Sequence, residues 1–151
     1  MSRKPRGSPR PLKAANFAAI RPRLFRQARA AMRHAYAPYS KFRVGAAILL
    51  RDGRVFTGCN VENASYGLTI CAERNAIFAA VAASARKPEI VAAAVCNDGR
   101  VPCSPCGACR QVLAEFGPRA IIWYLGAKGI AGHTMTELLP DGFQLENHAN
   151  R

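Results

Sequence analysis

Three cysteines in two separated segments constrain the fold of this chain more than any other feature. Cys71 opens Cys71-Ala72-Glu73-Arg74, and Cys106 and Cys109 belong to Pro105-Cys106-Gly107-Ala108-Cys109. Three thiolates form a soft ligand set that zinc accepts readily, and a tetrahedral ion so held keeps one position open. A fold that uses them must aim two distant helix starts at one point. Such a place favours thiolate over thiol, because unpaired backbone amides and the positive dipole end gather there. Water activated by the metal needs a base to manage its protons, and Glu73, two residues after Cys71, is the obvious one.

The remaining cysteines test how specific this reading is. A single Cys-x-x-Cys also occurs in structural zinc sites and redox motifs. Adding a Cys-x-Glu on a second helix turns the pattern toward catalytic zinc. Cys59 and Cys96 fall on strand-like stretches and read as small buried hydrophobes. Cys103 leaves a second register open, because Cys103-x-x-Cys106 repeats the spacing and a fourth sulfur would close the site. The spacing favours Cys106 and Cys109, which share one helical turn, while Cys103 precedes Ser104-Pro105. Three thiolates leave net negative charge on the site, so Arg74 is assigned to withdraw electron density from sulfur. A surface arginine on an exposed helix face is the alternative.

Around these segments the chain reads as alternating strands and helices. Apolar residues at helical spacing predict a first helix from about Pro22 to Tyr36. Val44–Leu50 and Val55–Asn60 are predicted strands joined at Asp52-Gly53, with a loop over Asn63–Ile70. An apolar helix follows over Ala72–Ala85, then a buried strand at Ile90–Cys96. A third helix spans Cys106–Phe116, with Ser104 as its N-cap and Gly117 past its end. Ala120–Leu125 and Ile130–Met135 are strands, followed by a helical turn around Glu137–Leu139. The order implies right-handed crossovers and partly parallel pairing. The expected fold is a three-layer α-β-α sandwich around a mixed five-stranded sheet.

The net charge of +13 suggests nucleic acid until its position is considered. Residues 1–33 hold ten of the 22 basic residues and no acid, while the other 118 carry 12 basic and 9 acidic groups. The charge belongs mainly to an N-terminal arm. We therefore divide the chain into a basic, flexible extension over residues 1–21 and a zinc-dependent domain over residues 22–151. A Pro-, Gly- and Ser-rich arm of one sign reads as a solvated tail. Contact with RNA or an anionic surface, and an organellar transit segment, are the alternatives. No apolar run approaches the roughly 20 residues that span a bilayer. Six cysteines without a secretory leader indicate a reducing, cytoplasmic setting.

From about Leu24 to Phe143 the chain resembles the small, homotetrameric, zinc-dependent cytidine deaminases. Five ordered blocks carry the likeness: Tyr39–Ala47, Asn60–Tyr66, Cys71–Arg74, Ser104–Leu113 and Leu138-Leu139-Pro140. Zinc deaminases carry a His-x-Glu and Pro-Cys-x-x-Cys signature, and Cys71 stands here where that signature has His. The resemblance implies one zinc per chain on Cys71, Cys106 and Cys109, with Glu73 as the proton carrier. It implies hydrolysis of free cytidine and 2′-deoxycytidine to the uridines plus ammonia, in pyrimidine salvage. Phe42 and Ala72 would line the base, and Asn60 and Glu62 would hold the ribose hydroxyls. In a homotetramer Ala64 and Tyr66 would contact the ribose 5′ side across an interface, and Phe143 would enter a neighbouring subunit's pocket. Ordinary core packing is the alternative for Phe42, loop hydrogen bonding for Asn60 and Glu62, and a lone surface aromatic for Phe143.

Two other functions compete. A related aminohydrolase could act on a nucleoside antibiotic or a polynucleotide, although no basic cluster lies beside the motifs. A zinc-stabilised module could grip nucleic acid with its basic arm, which would require four sulfur ligands and no Glu73.

Overall fold

The run Val44-Gly45-Ala46-Ala47-Ile48-Leu49-Leu50 forms strand β1 (Val44–Leu50) and is buried on both faces beyond its first residue. Both faces are covered, so its apolar run is continuous rather than alternating. A computed structural model describes residues 17–99 and 101–145. The readings made on residues 1–16, including most of the basic arm, lie outside the described residues.

Around β1 the chain lays down helix α1 (Phe17–Met32), strand β2 (Val55–Cys59), helix α2 (Ala72–Ala82) and strand β3 (Ile90–Asn97). Helix α3 (Gly107–Phe116), strand β4 (Ile121–Gly126), strand β5 (Gly129–Thr134) and the short helix α4 (Met135–Leu138) complete it. The five strands lie in the order β2-β1-β3-β4-β5. Only β3 and β4 pair in parallel, with Ala93 opposite Ile122, and the other neighbours are antiparallel. The mixed five-stranded sheet is therefore as expected.

The two faces of the sheet carry separate cores. Leu24, Phe25 and Ala28 of α1 pack with Ala47, Leu49, Ala92, Ala94 and Trp123. Ala72, Ala76 and Ile77 of α2 and Leu113 of α3 pack with Ala46, Ile48, Ala93, Val95 and Ile122. Each fully buried Leu or Ile contributes about 1.5–3 kcal/mol. Small residues set the approach. A Cβ on Gly45 would lie 2.0 Å from the Ala28 carbonyl, and one on Gly58 would lie 2.4 Å from the Ala72 carbonyl.

The first helix departs from its expected limits at both ends. Within the described residues it is already helical at Phe17, so residues 17–21, assigned from sequence to the extension, are helical, and Pro22 sits inside. The ring of Phe17 meets Trp123 edge-on at 5.9 Å, which anchors the turn ahead of the proline. At the other end Tyr36 has left the helix. Its N–H donates to the Asn60 carbonyl at 3.0 Å and its carbonyl accepts from Glu62 N–H at 2.8 Å. Helix α3 also starts later than expected, with Cys106 rather than Ser104 as N-cap. Ser104 instead accepts a hydrogen bond from Arg110 Nη2 at 2.8 Å.

Candidate active site

Cys71 and Cys106 are both N-cap residues, in extended backbone just before α2 and α3. Serine, threonine, aspartate or asparagine would cap these helices better. Neither cysteine side chain caps its own helix. Each sulfur is free to face the other, and the two Sγ atoms lie 4.0 Å apart. Cys109, one turn into α3 and fully buried, adds the third. All three sulfurs lie within 4.8 Å of one another. A tetrahedral zinc with Zn–S bonds of about 2.3 Å sets sulfurs about 3.8 Å apart, so the cage fits that ion.

Charge around the cage follows from its neighbours. Arg74 donates from Nη2 to Cys71 Sγ at 3.3 Å. This is the contact expected of a side chain that draws charge from sulfur, and Arg74 does not project into solvent as a surface arginine would. A hydrogen bond from Cys109, with Arg74 also contributing, brings the Cys71 thiol down to about 5 against burial. Cys109 moves up in return, mainly through that shared hydrogen bond and then through burial. Glu73 stands in the first turn of α2 and is only 5% exposed. Burial pushes its carboxyl up to about 7, and the charge on Cys71 adds to the rise.

A cleft of about 240 Å³ opens over these groups. Phe42, Asn60, Ala72 and Glu73 line it together with Cys71 and Cys106. It lies at the carboxyl end of β3, where open α/β sheets place their ligands. Two bridges pin the segment that carries Asn60 and Glu62: Val61 exchanges N–H···O bonds with Ile70 at 3.0 Å, and Tyr36 flanks it on the other side. Asn60 accepts from Val44 N–H at 2.8 Å and donates from Nδ2 to the Phe42 carbonyl at 2.8 Å. One amide N–H is left over for a ligand. Glu62 turns to the 39–40 loop, accepting from Tyr39 N–H at 2.9 Å and from the Ser40 amide and hydroxyl. Those bonds, the Ser40 hydroxyl first, hold its carboxyl below the usual range.

Not every residue singled out in the sequence comes together. Tyr66 is 73% exposed and Phe143 68% exposed, and neither they, nor Ala64, nor Glu62, which is buried against the 39–40 loop, line the cleft. Conversely, Thr69, Val95 and Pro102 line it outside the sequence blocks, and Val44 and Ser104 line it although the sequence assigns them no site role. Cys103 lines it too, yet stands outside the sulfur cage. Its thiol is turned to the Val95 carbonyl at 3.8 Å. A four-sulfur structural site is therefore not built here.

Residues 20–125 match the family described as "Cytidine and deoxycytidylate deaminase zinc-binding region". Over 126 residues the chain is 50% identical to the cytidine deaminase of Halalkalibacterium halodurans, covering 82% of this chain and 94% of that one. The crystal structure of cytidine deaminase from Burkholderia pseudomallei superposes with a TM-score of 0.74 at 50% identity, covering 80% of this chain and 97% of that chain. That from Mycobacterium tuberculosis gives 0.72 at 42% identity, covering 82% and 97%.

Proposed function

The chain belongs to the zinc-binding cytidine and deoxycytidylate deaminase family, and on that premise we propose that it hydrolyses free cytidine and 2′-deoxycytidine to uridine and 2′-deoxyuridine, releasing ammonia in pyrimidine salvage. The observation that carries the proposal is the buried Glu73 carboxyl sharing one cleft with the sulfurs of Cys71 and Cys106. Cys71, Cys106 and Cys109 would hold the zinc. When bound, zinc supplies the Lewis acidity that makes water nucleophilic near neutral pH.

The chain's own groups do the rest. Glu73 accepts a proton from the attacking water and delivers it to N3 of the pyrimidine, which makes C4 electrophilic. The water oxygen bonds to C4. Glu73 then carries the second proton to the exocyclic nitrogen, the C4–N bond breaks with its electron pair going to nitrogen, and ammonia leaves. Phe42 and Ala72 pack against the base, and Asn60 and Glu62 receive the ribose. Arg74 offsets the charge of the three thiolates through its contact with Cys71.

A homotetramer completes the reading. Phe78 and Val81 leave an apolar stripe on the outside of α2, 49% and 42% exposed. Together with the exposed Tyr66 and Phe143, that stripe supports burial against further copies, where Ala64, Tyr66 and Phe143 would meet a neighbour's cleft. Light scattering should give four times the chain mass, and Phe78→Glu should lower it. Among the described residues no helix is long and apolar enough to cross a membrane. Six unpaired thiols support a reducing, cytoplasmic setting.

The test is ammonia release from cytidine and 2′-deoxycytidine, beside blasticidin S and single-stranded RNA. Glu73→Gln should lower kcat by about 10²–10⁴-fold while zinc stays bound. A fully active Glu73→Gln enzyme would refute the proton-carrier role.

A further inference from the structure

Arg110 follows the ligand Cys109 on α3, and three of the five N–H groups of its guanidinium donate within its own chain. Nε donates to the Pro105 carbonyl at 2.8 Å, Nη2 to Ser104 Oγ at 2.8 Å and Nη1 to the Leu138 carbonyl at 3.0 Å. Ser104 and Pro105 are the two residues that lead into Cys106. Leu138 ends α4, 28 residues beyond Arg110. The next residue, Gln111, donates from Nε2 to the Phe143 carbonyl at 2.7 Å. Two consecutive side chains thus tie the C-terminal segment to the helix bearing Cys109, and one of them also grips the approach to Cys106.

That approach is anchored upstream, where Cys103 N–H donates to the Leu125 carbonyl at 2.8 Å, and it packs through the buried Pro105; Arg110 supplies its side-chain hydrogen bonds. Cys106 is exposed, and its side chain makes no bond to its own helix. Its position is set by the backbone of Ser104-Pro105, and Pro105 has no N–H with which to bind. A planar fork that reaches three acceptors in fixed directions suits the task; a lysine ammonium, a flexible point charge, does not.

We propose that Arg110 is a positioning residue for the metal ligand Cys106, and that through Arg110 the Leu138 end of the chain is part of the zinc-retaining structure. The inference rests on the three-sulfur reading of the zinc site. It predicts that Arg110 controls how fast zinc leaves, separately from how stable the fold is. Partners that orient metal ligands are worth about 10- to 100-fold in metal affinity when removed.

The experiment measures zinc release from the zinc-loaded protein to a chromogenic chelator, with the melting temperature recorded in parallel. Arg110→Lys and Arg110→Gln should release zinc about 10- to 100-fold faster. Arg51→Ala, which breaks the exposed Arg51–Glu89 pair at the far end of the sheet, should release it at the wild-type rate. Ser104→Ala, at an exposed position, should speed release several-fold alone and add nothing on top of Arg110→Lys. Unchanged release in the Arg110 variants would overturn the proposal. Should those variants not fold, unchanged release in Ser104→Ala overturns it. Wild-type protein that takes up no zinc would instead sink the underlying metal reading.

Discussion

Helices α1 and α2 grip opposite faces of the sheet by the same device and end up with different work. Each is let in by a glycine on a paired strand: Gly45 of β1 beneath α1, and Gly58 of β2 beneath α2. The helix α1 is amphipathic, with Leu24, Phe25 and Ala28 turned inward and Arg23, Arg26 and Arg29 in solvent. By contrast α2 is apolar nearly all round, and its polar chemistry is confined to its first turn and the residue before it. A helix that only covers a sheet needs one apolar stripe. One that carries a site must be held so firmly at its start that the groups there cannot drift, and α2 achieves this by burying Ala72, Glu73 and Ala76.

Several changes would break or sharpen that contrast. The largest effect belongs to the chemical end: Cys106→Ala should lose its zinc, measured as metal per chain by atomic emission, and its ammonia release should drop to background. Next come the two glycines. Gly45→Ala and Gly58→Ala should each cost about 1–3 kcal/mol by overpacking, read from urea unfolding. Only Gly58→Ala should also lower kcat per folded molecule, by up to about 10²-fold, because it shifts the start of α2. Equal kcat losses in both would show that α1 positions the site as well. Leu24→Ala should cost about 2–5 kcal/mol in stability with kcat per folded molecule unchanged. At the small end, Arg29→Gln on the solvent face of α1 should move stability by no more than about 0.5 kcal/mol.

Much of this contrast was readable from the amino acids. The limits of β1, the apolar character of α2 and the succession of five strands along the chain follow from apolar runs and turn residues, which act locally. The misreadings have a common origin. Ser104 is the better N-cap by type, yet α3 starts at Cys106 because metal ligation, and not helix stability, governs that position. Pro22 is a natural helix start, but Phe17 reaches Trp123 on β4, a contact no local rule contains. Tyr36 sits at helical spacing after Met32 and is instead drawn off to pair with Val61. Arg110 could have been suspected only from its place beside Cys109, since its three acceptors lie on two separate segments.

The amino acids alone determined the chemistry: which side chains can bind soft metal, which can carry a proton, and which pairs share a helical turn, because those relations span four residues or fewer. Tertiary structure decided the rest. Cys71 meets Cys106 across 35 residues, Glu73 loses its water, and Cys103 is turned away toward Val95. Each of these depends on strand order and on how closely two helices settle onto glycines, and such packing is a property of the whole sheet.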